Sequence, residues 1–166
     1  MPAGRYNTYG LFFVPLNNTL LQLLLINSNL MMDSNSYLFV YGTLLSEGNE
    51  FAAFLMENST FYSNGKFSGK LYDVVEYPGA ISDPGCGYFV HGQVFFMNDP
   101  GSILRRLDDY EGFGTEQPQS NEFKRELIEV ESDDIPLKCW AYLYNFPVDG
   151  LWHIKSGNYL EYVKIS

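Results

Sequence analysis

The spacing of hydrophobic residues changes along the chain, and each spacing predicts a different element. Residues 37–42 form an almost continuous aliphatic and aromatic run that stops at a glycine, which predicts a short buried strand. In the next segment, residues 49–57, the hydrophobic positions Phe51, Phe54 and Leu55 follow helical spacing. This segment is therefore predicted to be a short helix.

Further segments show the alternation that is typical of strands. Residues 60–75 and 87–97 alternate apolar with polar positions and are rich in Tyr, Phe and Val. Asn64-Gly65 and Tyr77-Pro78-Gly79 supply turn residues between the extended stretches. We therefore expect antiparallel strands joined at these turns.

The last third of the chain completes the predicted fold. Residues 123–130 and 137–146 are predicted to form a hairpin with a longer connection, and residues 157–159 are expected to begin a short helix. Many short strands with few helices are typical of the α+β class. We expect a small mixed, mainly antiparallel β-barrel that is flanked by two or three short helices.

One further helix has clear start and stop signals. Asn98 or Asp99 is expected to cap its start, Pro100 suits the first turn, and Gly112 is expected to end it. Its apolar stripe consists of Ile103, Leu104, Leu107 and Tyr110.

Glu111 extends this stripe, since it lies four residues after Leu107 and seven after Leu104. Burial and the negative end of the helix dipole both disfavour a charged carboxylate, so the pKa of Glu111 is expected to be raised. Such a carboxyl can act as general base and then general acid near neutral pH. A solvated Glu at a frayed helix end fits the same pattern, so the residues alone leave both interpretations open.

The turn Tyr41-Gly42-Thr43-Leu44 is the second place where chemistry is expected. A glycine at the end of a strand lets the backbone turn sharply and bring amide groups close to a carboxylate or an oxyanion. A glycine that merely ends a core strand fits the same four residues.

Charge and composition narrow the class of ligand. The formal net charge of the 166 residues is −10, which disfavours nucleic acid and anionic membranes as partners but permits a small or cationic ligand.

The only cysteines, Cys86 and Cys139, have no metal-ligand spacing to each other or to His91 and His153. No metal is therefore expected, and free cysteines favour a cytoplasmic location.

The first part of the chain is predicted to lie apart from this fold. Residues 20–26 are too short an apolar run for a membrane span, and the basic front of a signal peptide is missing. Met31 and Met32 directly precede a polar stretch, so the natural translation start is expected there. In that case the residues before Met31 are an extension that is not expected to pack. We therefore divide the chain into an N-terminal extension, residues 1–36, and one domain, residues 37–166.

Taken in order, several short motifs resemble the γ-glutamylcyclotransferase superfamily, especially its AIG2-like and γ-glutamylamine cyclotransferase branch. The resemblance covers residues 37–159. The motifs are LFVYGTLL at 38–45, YPGA at 77–80, VHGQVFFM at 90–97, LDDYEG at 107–112, KREL at 124–127 and CWAYLY at 139–144.

This resemblance implies an activity and assigns roles to particular residues. Glu111 would be the catalytic acid/base, and Tyr142 would line the pocket. The α-amine of a γ-glutamyl amine or γ-glutamyl amino acid would attack its own γ-carbonyl, which forms 5-oxoproline and releases an amine. Neither a cofactor nor a metal is implied. The expected partner is the small-molecule γ-glutamyl substrate, and the oligomeric state is left open. The substrate-binding loop would consist of Tyr41, Gly42, Thr43 and Leu44.

Two departures leave the substrate open. The superfamily often has Tyr-x-Arg at the start of the first late strand, whereas this chain has Phe123-Lys124-Arg125, and the loop at residues 114–122 is long. A non-catalytic module that binds small amine-bearing ligands on the same fold is the alternative function. A structural protein with a solvated Glu111 is a third.

Overall fold

The computed structural model of the chain describes residues 35–45, 48–133 and 135–165. The described residues form seven strands, one 3-10 turn and three α-helices. In chain order they are β1 (Tyr37–Val40), the 3-10 turn (Thr43–Leu45), α1 (Glu50–Asn58), β2 (Ser59–Asp73), β3 (Pro78–Ser82), β4 (Phe89–Met97), α2 (Pro100–Glu111), β5 (Phe123–Ser132), β6 (Pro136–Tyr144), β7 (Trp152–His153) and α3 (Tyr159–Ile165).

Five of the strands close into a barrel. Their order is β2-β4-β1-β6-β5, and β5 returns to pair with β2 at Gly65↔Ser132 and Lys66↔Glu131. Only β1 and β6 are parallel among these described pairs, while the others are antiparallel. The far half of β2 extends beyond the barrel and pairs with β3 and β7. The predicted α+β fold, a mixed and mainly antiparallel barrel with short helices, is confirmed.

Strand β1 is buried on both faces, which explains its unbroken apolar sequence. Phe39 points into the barrel, where it packs in a cluster with residues from all the other barrel strands, such as Phe67 and Val94. Leu38 and Val40 belong to a second cluster, which lies between the barrel and helices α1 and α2. The end of β1 is thus held between two cores.

Helix α2 begins and ends as its sequence predicts. The Asp99 side chain accepts a hydrogen bond from the Ser102 amide, Pro100 is in the first turn, and Gly112 ends the helix in the left-handed conformation at φ +65°. Ile103, Leu104 and Leu107 are buried against the outside of the barrel. This packing brings the last turn of α2 beside the end of β1.

The turn predicted at Asn64-Gly65 was wrong, and the one predicted at Tyr77-Pro78-Gly79 was placed too late in the chain. Asn64-Gly65 lies inside the 15-residue strand β2. A Cβ at Gly65 would approach Val130 to 2.7 Å, so this glycine provides room for barrel closure and not for a turn. The turn between β2 and β3 comes just before, at residues 74–77, where the Val74 amide donates to the Tyr77 carbonyl at 2.9 Å, and Pro78-Gly79 begins strand β3.

The described domain begins just before β1 and ends with α3. The backbone of Ser36 already accepts a hydrogen bond from the Met97 amide at 2.7 Å, while the predicted extension before residue 35 lies outside the described residues. The short helix expected near residue 159 is confirmed as α3. None of the helices in the described part of the chain is long and apolar enough to cross a membrane.

Candidate functional site

A cavity of about 680 Å³ lies where the end of β1 meets the last turn of α2. Its volume lies within the range of about 300–1,000 Å³ that is usual for small-molecule sites. Its wall also includes the segment between β2 and β3 and the loop before β5. The lining residues are Leu38, Phe39, Val40, Tyr41, Thr43, Leu44, Asn49, Glu76, Tyr77, Pro78, Tyr110, Glu111, Gly112, Pro118, Ser120, Glu122, Phe123, Tyr142 and Phe146.

The turn after β1 depends on Gly42. Its backbone adopts φ +87°, which favours glycine, and a Cβ there would lie 2.3 Å from the Pro78 Cγ. The Leu45 amide donates to the Gly42 carbonyl at 3.0 Å and closes a short 3-10 turn. The amides of Thr43 and Leu44 lie at the start of this turn, where helical geometry provides no acceptor within the turn itself.

Asn49 links this turn to helices α1 and α2. Its side-chain oxygen accepts from the Phe51 amide at 2.8 Å and thereby caps α1. Its side-chain nitrogen donates to the Thr43 carbonyl at 3.4 Å and to the Tyr110 hydroxyl at 3.1 Å. Asn49 therefore sets the position of the turn relative to the residue that precedes Glu111.

Glu111 lines the cavity at the end of α2 and is partly buried. Burial, followed by the nearby negative charge of Glu122, raises its pKa to about 8. No hydrogen bond or ion pair joins its carboxyl to another described residue, which leaves the group available to a ligand. A partly buried carboxyl with a pKa near neutrality can exchange protons with a ligand in both directions.

The Tyr41 hydroxyl is already occupied by the protein. It donates to the Tyr142 carbonyl at 2.6 Å and accepts from the Ala80 amide at 3.2 Å. Burial, and then the charge of Glu111, raises the pKa of Tyr41, so the hydroxyl keeps its proton. Tyr41 thus fixes the end of β1 to β6 and β3, and its side chain forms part of the cavity wall.

A polar network holds the last turns of α2 against the barrel. The Tyr142 hydroxyl donates to Asp108 Oδ1 at 2.8 Å, and Arg125 Nη1 donates to both Asp108 oxygens at 2.7 and 2.8 Å. The Arg125 guanidinium also lies over the rings of Phe113 and Trp140, at 5.5 and 5.2 Å. Since Asp108 precedes Glu111 by three residues, this network fixes where the Glu111 carboxyl emerges.

The structure brings most of the predicted site residues to one cavity. Tyr41, Thr43, Leu44, Glu111 and Tyr142 all line it. The predicted loop residue Gly42 does not line this cavity but borders a smaller one, of about 240 Å³, behind the turn. Its part in the site is therefore to shape the turn.

Several residues of the site were missed from the sequence. Asn49 begins the segment that was predicted to be a helix, but that position carries no information about its contacts with Thr43 and Tyr110. Asp108 lies at the edge of the apolar stripe, where helical spacing does not predict its contacts with Tyr142 and Arg125. Glu122 lies in a loop with no regular spacing, so no signal in the sequence pointed to it.

Comparisons with known proteins point to one family. The family model described as gamma-glutamyl cyclotransferase, AIG2-like, matches residues 38–161. The chain is 33% identical over 131 residues to the γ-glutamylcyclotransferase family protein YtfP of Escherichia coli K12, covering 75% of this chain and 96% of YtfP. The solution structure of E. coli YtfP matches with a TM-score of 0.54 at 30% identity, covering 76% of this chain and 98% of that one.

Two more distant structures share the fold. An AIG2-like protein from Mus musculus matches with a TM-score of 0.57 at 22% identity, covering 73% of this chain and 86% of that one. YkqA from Bacillus subtilis matches with a TM-score of 0.59 at 22% identity, covering 80% of this chain and 42% of that one. The matched span includes both the turn after β1 and Glu111, and it extends over most of the described domain. The chain therefore belongs to the AIG2-like γ-glutamylcyclotransferase family.

Proposed function

We propose that this protein converts a γ-glutamyl amine or γ-glutamyl amino acid to 5-oxoproline and releases the amine. The observation that carries the proposal is Glu111, a cavity carboxyl with a pKa of about 8 and no bonded partner among the described residues. Family membership supports the reaction class. The leaving amine is left open.

Glu111 is the acid/base in this proposal. Its raised pKa keeps it protonated in much of the empty protein at pH 7, but a substrate ammonium group beside it favours the charged carboxylate. Glu111 then accepts a proton from the α-ammonium group, and the free amine attacks the γ-carbonyl carbon. Because the nucleophile belongs to the substrate, the protein needs only to hold the chain folded on itself.

Ring closure and amine release complete the reaction. The new C–N bond gives a tetrahedral intermediate whose oxyanion is held, in our proposal, by the amides of Thr43 and Leu44. The bond to the leaving nitrogen then breaks as Glu111 returns a proton to it. The α-nitrogen enters with three hydrogens and ends with one in the lactam, and the second released proton passes to solvent or to the released amine.

A substrate panel tests this function directly. Purified protein is incubated with γ-glutamyl amines, γ-glutamyl amino acids and glutathione, and 5-oxoproline is measured. We expect turnover of at least one member, and we expect Glu111→Gln to abolish it without loss of folding. Glu129→Gln, on the exposed face of β5, is the matched control. Binding of panel members without any 5-oxoproline would instead support the binding module.

A further inference from the structure

A second carboxylate lies in the same cavity and is held in place by the protein. Glu122 directly precedes β5 and lines the cavity together with Glu111. The Tyr77 hydroxyl donates to Glu122 Oε1 at 2.7 Å, and the Tyr77 ring centroid lies 6.0 Å from that of Phe123. The hydrogen bond to Glu122, ahead of burial, raises the pKa of Tyr77 to about 12, so Tyr77 remains a donor. One oxygen of Glu122 is fixed in this way, and Oε2 has no bonded partner in the described part of the chain.

The charge of the cavity wall is one-sided. Three carboxyl groups line it, from Glu76, Glu111 and Glu122, and no Lys or Arg of the described residues does so. The nearby Arg125 is paired with Asp108 instead. A cation is therefore attracted into this cavity, and an anion is repelled.

We propose that Glu122, held by Tyr77, is a substrate-positioning residue that receives the α-ammonium group beside Glu111 before the proton is transferred. This inference rests on the proposed function for its substrate. Proton transfer neutralises both the ammonium group and Glu111, so Glu111 by itself leaves the α-nitrogen without a charged hydrogen-bond acceptor after the transfer. With Glu122 in place, the α-nitrogen keeps a negatively charged neighbour throughout.

The same arrangement makes the proton affinity of Glu111 depend on Glu122. Burial is the main cause of the raised pKa of Glu111, and the negative charge of Glu122 is the second cause. The other titratable groups lining the cavity with Glu111 are Tyr41 from β1, Glu76 and Tyr77 from the segment between β2 and β3, Tyr110 from α2 itself and Tyr142 from β6.

The first experiment needs no turnover. Carbon-13 labelling of the Glu carboxyl groups lets NMR follow the titration of Glu111 in the full-length protein. We expect Glu122→Gln to lower its midpoint by about one pH unit, since a neighbouring like charge is removed. Tyr77→Phe is expected to lower it by less, because Glu122 keeps its charge but loses its support. Glu129→Gln removes one negative charge from the exposed face of β5 and is expected to leave the midpoint unchanged.

The second experiment tests contact with the ammonium group. Binding of L-γ-glutamyl methylamide is compared with that of N-methylglutaramate, which has the same chain without the α-amine. We expect Glu122→Gln to weaken the first ligand about tenfold, the loss typical of one charge-assisted hydrogen bond. The second ligand is an anion and loses a repelling neighbour, so its binding is expected to stay the same or to become slightly tighter. With a turned-over substrate, KM is expected to rise by the same factor while kcat changes less.

The outcomes separate this proposal from the proposed function. An unchanged Glu111 midpoint in Glu122→Gln, or equal weakening of both ligands, overturns the role of Glu122. A Tyr77→Phe midpoint equal to wild type overturns the role of the hydrogen bond, and this variant serves even if Glu122→Gln does not fold. Selective weakening of the amine-bearing ligand without any 5-oxoproline supports Glu122 and rejects only the enzyme. Failure of the wild-type protein to bind either ligand, together with no 5-oxoproline from any member of the substrate panel, overturns both proposals.

Discussion

The raised pKa of Glu111 has a consequence for stability that does not depend on any substrate. A carboxyl whose pKa is raised in the folded protein binds its proton more tightly there than in the unfolded chain. Below the unfolded pKa of about 4.5, Glu111 is protonated in both the folded and the unfolded protein, so its full stabilising effect is present. Above that pH the unfolded chain loses its proton first, and this stability is lost as the pH rises through the folded pKa of about 8. The wild-type protein therefore becomes less stable across this window.

The size of the effect follows from the same two values. One pKa unit corresponds to about 1.4 kcal/mol, so the charged Glu111 costs roughly 3–5 kcal/mol of unfolding free energy above pH 8. Glutamine resembles the protonated acid and carries no charge at any pH. We therefore expect Glu111→Gln to match the wild type near pH 4 and to exceed it by roughly 3–5 kcal/mol near pH 9.

Urea denaturation at a series of pH values measures this difference. The free energy of unfolding is determined for wild type, Glu111→Gln and the surface control Glu129→Gln, and the wild-type value is subtracted at each pH. We expect the Glu111→Gln difference to increase with pH and the control difference to remain small. A difference that is the same at pH 4 and pH 9 would show that Glu111 does not titrate in the folded protein as the structure indicates.

Two further predictions concern the turn after β1. Gly42→Ala is expected to destabilise the protein by roughly 2–5 kcal/mol, because it combines a left-handed backbone with a Cβ that has no room. Gly85 is the control, because it has a similar φ but no atom within 4 Å of an added Cβ. Gly85→Ala should lower the free energy of unfolding by only about 1–2 kcal/mol in thermal or urea unfolding. Equal losses in the two variants would show that the contact of the Cβ with Pro78 costs nothing. Asn49→Ala and Asp99→Ala each remove a helix cap worth about 1 kcal/mol. Only Asn49→Ala is expected to lower kcat/KM as well, by about tenfold, because a small misplacement beside the reacting groups slows catalysis. Equal kcat/KM in the two variants would show that the contacts of Asn49 with Thr43 and Tyr110 do not position the site.

Local sequence was sufficient wherever one segment carried its own signal. The unbroken apolar run of residues 37–42 predicted the strand that forms as β1, and capping residues at both ends predicted α2 within a residue of its observed limits. Helical spacing then placed Glu111 on the apolar stripe, on the side that faces the cavity. These inferences need only the periods of strands and helices and the chemistry of helix ends.

The turn residues Asn64-Gly65 show where local rules failed. Their dipeptide is typical of a hairpin turn, yet they lie in the middle of β2. Gly65 is needed there because β2 passes close to Val130 of β5, a strand about 65 residues later in the chain. A contact of that kind leaves no trace in the spacing of neighbouring residues.

Local spacing was enough to predict a carboxyl at the end of an apolar helix stripe and a glycine turn after the first strand. Three features depend on the folded chain: Tyr77 and Glu122 meet in the same cavity, Arg125 and Tyr142 hold Asp108, and the pKa of Glu111 reaches about 8. The physical reason is that burial and charge–charge interactions depend on distance in space. Closure of the barrel sets those distances between segments that the chain itself keeps far apart.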